Sequence, residues 1–229
     1  MGSPQADARS PRLALPPAAA SASSTSSARC TDCTPPSVCT LPSVDFVSVR
    51  PTSPPLGADA HALLGERALP VLRGLAELTG ESANLAVLTQ GLAEYVAQAP
   101  GSHTMRIFTE VGNRVELHCT GVGKALLAAV TPAQAGRLAT ATPLTARTAG
   151  TITDRTALHA EIALTRARGY ALDEGEMEAG VRCVAVGMAG KLPMAVSVSG
   201  PAVRMTDDLI ASAVSALRTA TAQLRRQLP

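Results

Sequence analysis

Residues 173–201, DEGEMEAGVRCVAVGMAGKLPMAVSVSGP, decide the fold, because they hold two strand-forming runs on either side of a short turn. Residues 181–188 and 192–199 are rich in valine and nearly free of strand breakers. We expect them to pair as an antiparallel hairpin around a three-residue turn at 189–191. That register sets Met188 opposite Leu192, Ala185 opposite Ala195, Cys183 opposite Ser197 and Val181 opposite Ser199.

The hairpin has two different faces, because side chains alternate across a strand. One face is large and apolar and consists of Val184, Val186, Met188, Leu192, Met194 and Val196. The other is small and partly polar and consists of Val181, Cys183, Ala185, Gly187, Ala195, Ser197 and Ser199. Such a small-residue face leaves room for a ligand. It would equally accommodate a closely packed helix, and both interpretations stay open.

Composition excludes several classes of protein. The chain has 229 residues, a net charge of +2, two Phe, two Tyr and no Trp. It therefore has neither the basic field nor the aromatic platforms typical of nucleic-acid binding. No apolar run approaches the roughly 20 residues of a membrane helix, so no membrane partner is expected. The odd count of five cysteines argues against a disulfide framework and favours the reducing cytoplasm.

Residues 1–57 are dominated by Ser, Pro, Ala and Thr and have no helical or strand period, which predicts a disordered tail. Cys30, Cys33 and Cys39 could form part of a zinc site, but a closed site needs four ligands. The favoured interpretation is that these cysteines lie in a disordered tail and bind no metal. A strand at 44–49 is only weakly indicated. The folded domain is expected at 58–229.

From residue 58 the pattern becomes regular. Apolar residues at helical spacing predict a helix to Leu78, broken or kinked at Pro70 and ended by Gly80. Strands are predicted at 83–89 and 92–97 around a Gln90-Gly91 turn, with a third strand at 105–110.

Three further helices are predicted in the second half. One spans 132–139, and one spans 154–168 with Asp154 as its cap. The last spans 206–228, with acidic residues at its start and basic residues at its end. The buried residues expected on the last two are Leu158, Ile162, Thr165, Ile210, Val214, Leu217, Thr221, Leu224 and Leu228.

Residues 120–124, TGVGK, precede an apolar helix predicted at 125–130. Glycines before a helix leave backbone N–H groups at its positive end, which suits a carboxylate or phosphate. His118 and Ala125 rule out a nucleotide P-loop, and Leu126 rules out a dinucleotide fingerprint. Taken alone, the motif is better explained as a turn that allows close helix packing.

Four stretches in order resemble the C-terminal effector-binding domain of the isocitrate lyase regulator (IclR) family of bacterial transcription regulators. They are LAELTGESANLAVL, TGVGKALLA, LTARTAGTITDRTALHAEIALTRARGYALDEGEMEAGVRCVAV and AVSVSGPAVRMTDD, which together span roughly residues 60–228. The resemblance implies an α+β fold, a GAF-like or profilin-like curved antiparallel sheet flanked by helices.

The resemblance also implies a site and partners. The ligand would be a small organic acid or aromatic effector, with no cofactor and no metal. The family pocket positions fall on Thr120, Gly121, Val122, Gly123, Asp173, Cys183, Ser197 and Ser199. A homo-oligomer, dimer or tetramer, is implied as well.

One departure concerns DNA. The family carries an N-terminal helix-turn-helix, and residues 1–57 show no such pattern. We therefore expect the chain to be either a truncated or mis-started regulator or a stand-alone sensor. In the family, DNA is contacted only through the helix-turn-helix, which this chain is expected to lack.

Two other functions compete with the sensor. An enzyme would use Cys183 as nucleophile, but none of the histidines stands in a partner motif. A dominant-negative interaction module would need only the outer helices. Asp173, Glu174, Glu176 and Glu178 could suggest a metal loop, but a solvated acidic turn is the favoured interpretation.

Overall fold

The computed structural model describes residues 57–228, so the predictions for the tail, including Cys30, Cys33 and Cys39 and the strand at 44–49, lie outside the described residues. The described part contains five helices and six strands. The helices are α1 Ala58–Thr79, α2 Gly121–Ala129, α3 Pro132–Ala141, α4 Arg155–Arg168 and α5 Asp207–Gln227. The strands are β1 Ser82–Thr89, β2 Leu92–Ala99, β3 Arg114–Val115, β4 Ala171–Glu174, β5 Val181–Met188 and β6 Met194–Pro201.

The strands form one antiparallel sheet in the order β3-β2-β1-β6-β5-β4. The β1–β2 hairpin has the predicted Gln90-Gly91 turn, and both turn residues adopt positive φ. The predicted hairpin at β5–β6 exists, but its register was wrong by two residues. Met188 lies opposite Met194, and Cys183 lies opposite Ser199 rather than Ser197. Because side chains repeat every two residues, this shift leaves both predicted faces intact.

The apolar face of the sheet packs against α1 and α5 and forms the larger core. Val184, Val186, Met188, Val196 and Val198 belong to this core, with Leu72 of α1 and Leu217 of α5 among the fully buried residues. The opposite face carries Ala185 and Ala195 and packs against α2, with α3 and α4 outside it. Leu158, Ile162 and Thr165 are the buried residues of α4, as predicted. The six residues predicted on the buried face of the last helix are also buried.

Three predictions about the extent of elements differ from the structure. Helix α1 is not broken at Pro70 and runs from Ala58 to Thr79, with Pro70 at an exposed position. Residues 105–110 form no strand; the edge strand is the short Arg114–Val115 pair. Helix α2 begins at Gly121 rather than 125, because Thr120 caps it, and the glycines therefore lie in its first turn.

Among residues 57–228, no helix combines the length and the apolar character that crossing a bilayer requires.

Helix α2 lies directly against β5, and Gly187 makes this possible. A Cβ atom at position 187 would overlap the carbonyl oxygen of Ala125 and stand 3.0 Å from the Cβ of Ala129. Any larger side chain must therefore push the helix away from the sheet. The small-residue face thus does accommodate a close-packed helix along this part of its length.

We predict that Gly187→Ala lowers the free energy of unfolding by about 1–3 kcal/mol, because backbone atoms of α2 cannot move aside cheaply. Gly74→Ala is the control: nothing lies within 4 Å of a Cβ there, in an exposed turn of α1. That change should stabilise by about 0.5–1 kcal/mol. Urea unfolding of both variants measures these free energies. A Gly187→Ala variant with the wild-type free energy of unfolding would contradict the close packing of α2 on β5.

Candidate functional site

The first turn of α2 is held by Thr120. Its hydroxyl oxygen accepts a hydrogen bond from the Gly123 N–H at 3.1 Å and donates to the Glu116 carbonyl at 2.8 Å. The helix start therefore has a fixed orientation, and the positive end of its dipole faces the sheet beside Cys183. A Cβ on Gly121 would come within 2.8 Å of the Cys183 sulfur. The predicted Thr120–Gly123 motif and Cys183 are therefore neighbours.

The small-residue face supplies hydroxyl groups next to this helix start. Ser197 and Ser199 on β6 are buried, and the side-chain amide of Asn84 on β1 reaches both, at 3.4 Å and 3.2 Å. Cys183 lies across from Ser199 and also contacts the hydroxyl of Ser197 and the Gly121 N–H. Three adjacent strands thus present polar atoms in one buried place.

Asp173 and Glu176 are buried, which corrects the interpretation of their loop as a solvated acidic turn. Asp173 accepts a hydrogen bond from the Glu176 N–H at 2.7 Å. Glu176 forms an ion pair with Lys124 of α2, whose side chain is 1% exposed. Glu174 and Glu178 are exposed, and Glu174 pairs with Arg182 at 2.5 Å.

Burial dominates the electrostatics of the site. It raises the pKa of Asp173 to about 6, although the backbone hydrogen bond from Glu176 and the charge of Lys124 oppose the rise. Burial also raises the pKa of Cys183 to about 12, and it raises the pKa of Glu176 against the opposing charge of Lys124. Asp173 is therefore mostly ionised at pH 7 but takes up a proton at only slightly lower pH, and the charge of Glu176 is paired with that of Lys124.

Sequence reasoning missed Asn84 and Tyr95. Tyr95 on β2 is partly buried, and its pKa is raised by burial and then by the nearby Cys183, Asp173 and Cys119. Asn84 carried one usable signal, since it is the only amide in β1 and stands between the apolar residues Ala83 and Leu85. Tyr95 carried none, because only the pairing of β2 with β1 brings it to this face.

The geometry disfavours Cys183 as a catalytic nucleophile. Its hydrogen-bonding neighbours are the Ser197 hydroxyl and the Gly121 N–H, and neither is a base. With a pKa raised to about 12, the thiol is almost entirely protonated at neutral pH. The site is suited to binding rather than to nucleophilic chemistry.

We predict that Asp173→Asn raises the free energy of unfolding at pH 7.5 by about 2 kcal/mol. The folded-state pKa of about 6 exceeds the ordinary value of 3.8, so ionisation disfavours the folded state as pH rises from about 4 to 6. The advantage of the variant should therefore shrink by about 1–2 kcal/mol between pH 7.5 and pH 4.5.

Urea unfolding at both pH values measures this difference, with Asp208→Asn on the exposed start of α5 as the matched control. A difference that is constant with pH, or that grows as pH falls, would contradict the buried state of Asp173.

The fold and the site together define a class: an α+β domain whose antiparallel sheet holds a buried polar site against a helix start, as in ligand-sensing modules. The family model described as bacterial transcriptional regulator IclR C-terminal matches residues 60–226. The chain therefore belongs to the IclR family, and the resemblance in its sequence is confirmed.

Relatives agree with this assignment. The HTH-type transcriptional regulator BhcR of Paracoccus denitrificans is 41% identical over 168 residues, which cover 72% of this chain and 59% of BhcR. The chain thus spans between about half and three fifths of the length of the curated relatives it matches. The similar proteins are transcriptional regulators rather than enzymes.

Solved structures share the fold. An IclR-type transcriptional regulator from Silicibacter sp. TM1040 has a TM-score of 0.68 and 33% identity, covering 75% of this chain and 70% of its own. An IclR homologue from Microbacterium hydrocarbonoxydans, complexed with 4-hydroxybenzoate, has a TM-score of 0.64 and 23% identity. The match covers 73% of this chain and 69% of the homologue's chain. The curved GAF-like sheet flanked by helices is confirmed.

Proposed function

We propose that this domain binds a small organic acid, aliphatic or aromatic, as the effector of a transcription regulator that acts in the cytoplasm. The effector would contact Thr120, Gly121, Val122, Gly123, Asp173, Cys183, Ser197 and Ser199, together with Asn84 and Tyr95. The observation that carries the proposal is the convergence of the α2 start with buried polar side chains from separate strands.

Two positive features of the cluster suit an anion. The helix start contributes its dipole, and the charge of Lys124 is close enough to lower the pKa values of Asp173 and Cys183 against the effect of burial. Asp173, with a pKa of about 6, accepts a proton more readily than an ordinary aspartate and then donates to a ligand oxygen. Hydroxyl and amide groups of Ser197, Ser199 and Asn84 add neutral hydrogen bonds.

The proposed mechanism is a shift of population. The site joins α2 to β1, β5 and β6, so a ligand that bridges them favours the arrangement in which α2 lies against the sheet. A ligand shifts this equilibrium only by its differential affinity for the two arrangements. The relative crystallised with 4-hydroxybenzoate makes that compound a suitable probe of the aromatic class.

We predict that at least one of acetate, pyruvate, succinate, benzoate and 4-hydroxybenzoate binds in isothermal titration calorimetry. Asn84→Asp should weaken that binding at least tenfold, because a carboxylate in the buried cluster repels an anion. The variant should still fold, since the Ser197 and Ser199 hydroxyls can turn and donate to the new carboxylate.

Asn113→Asp is the matched control, because it makes the same charge change in an exposed turn where solvent screens it. Binding that falls equally in both variants would contradict the assigned site. Folded wild-type protein that binds none of the five acids would overturn the proposed function.

We also propose that the chain self-associates as a homo-oligomer, because residues 102–111 expose apolar side chains on an anchored backbone. Met105, Phe108 and Val111 are 73%, 72% and 55% exposed. The Ser82 hydroxyl donates to the Ile107 carbonyl at 2.7 Å and Arg204 donates to the Met105 carbonyl at 2.9 Å. An exposed apolar patch of this kind is typical of protein–protein contacts.

Sedimentation velocity tests this. We expect a dimer or tetramer for the wild type and a smaller species for the double variant Met105→Ser, Phe108→Ser. Leu164→Ser, which changes a 51% exposed side chain on α4, should leave the oligomer unchanged. A wild-type monomer, or an equal effect of Leu164→Ser, would exclude this surface.

A further inference from the structure

Glu116, His118 and Cys119 form a cluster just before α2 that the effector site does not use directly. One possible ligand atom from each lies within 4.8 Å of the others. The Cys119 thiol donates to the Glu116 carboxylate at 3.6 Å. Cys119 and His118 are buried, at 0% and 2% exposure, and Glu116 is partly buried. Imidazole, thiol and carboxylate are three common protein ligands of Zn²⁺.

His118 is held in the tautomer that a metal ligand needs. Its Nε2 atom lies 3.0 Å from the carbonyl oxygen of Thr145, which only accepts hydrogen bonds, so Nε2 carries the proton. The lone pair is therefore on Nδ1. That atom is buried, and it has no hydrogen-bond partner among residues 57–228. A buried acceptor left unsatisfied is costly, and a metal ion would satisfy it.

Glu116 is oriented in the same way by a group behind it. Arg147 donates from Nε and Nη2 to the two carboxylate oxygens at 2.8 Å and 2.9 Å. Each oxygen keeps a further lone pair. Metal sites commonly hold their ligands with such outer hydrogen bonds.

We propose that Glu116, His118 and Cys119 bind a thiophilic divalent cation, with Zn²⁺ as the physiological candidate. Bonds of about 2.0–2.3 Å require ligand atoms roughly 3.5 Å apart, which the Cys119–Glu116 distance of 3.6 Å already meets. On binding, the thiol proton leaves to solvent and the sulfur electron pair forms the bond to the metal. The Met177 thioether, 3.6 Å from the Cys119 sulfur, adds a second soft donor. Mg²⁺ and Ca²⁺ should not bind, because they prefer oxygen ligands.

Cobalt(II) substitution tests the site through its thiolate-to-metal charge-transfer absorption. The full chain is used with Cys30, Cys33 and Cys39 changed to Ser, so that of its five cysteines only Cys119 and Cys183 remain. We expect one equivalent of Co²⁺ to produce the band and Zn²⁺ to displace it. Cys119→Ser should abolish the band, and Cys183→Ser, at the other buried thiol, should keep it.

A second pair of variants covers the case in which Cys119→Ser fails to fold. His118→Gln should weaken Co²⁺ binding at least tenfold, while His159→Gln, at an exposed position on α4, should not change it. No band in the folded parent, a band that survives in Cys119→Ser, or equal weakening in both histidine variants would overturn the proposal. Because the probe is the metal alone, the result is independent of whether any organic acid binds.

Discussion

The structure depends on how closely α2 approaches β5. Gly187 removes the side chain that would meet Ala125, and Gly121 removes the one that would meet Cys183. With both glycines present, the helix lies directly on the small-residue face, and its first turn stands beside Cys183, which contacts the Ser197 hydroxyl. The structure thus confirms the close helix packing on the small-residue face, and the ligand that we propose would bind where the start of that helix meets the buried polar groups.

The two faces of the sheet differ in composition and in what packs against them. Residues packed against α1 and α5 are large and apolar and supply most of the hydrophobic burial. The face toward α2 has smaller side chains and lies next to several buried polar groups, including the Lys124–Glu176 ion pair. Removing one partner of such a buried pair is strongly destabilising, because the other charge is left alone. The pair fixes the loop after β4 to the helix, and this positions Asp173.

Much of the fold could be predicted from local sequence. The two faces of the β5–β6 hairpin follow from alternation alone, and the buried positions of α4 follow from helical spacing. The register could not be predicted, because it depends on whether the turn closes before or after Leu192 and Pro193, and both choices preserve the faces. The strand expected at 105–110 failed because its apolar residues point to solvent rather than to a core.

The proposed site was predictable only in part, because its members come from distant segments. Cys183, Ser197 and Ser199 share one hairpin, but Asn84 and Tyr95 reach it only through the pairing of β1 with β6 and β2. The acidic loop was misinterpreted for the same reason. Its partner Lys124 lies 52 residues before Glu176, and only the folded chain brings them together.

The most direct test is an NMR titration of the isotope-labelled chain with 4-hydroxybenzoate or benzoate. If the α2 start and the small face bind the acid, the largest amide shifts should fall at Gly121, Val122 and Gly123 and across β5 and β6. Shifts concentrated on α1 and α5, with the glycine amides unmoved at saturation, would contradict the account.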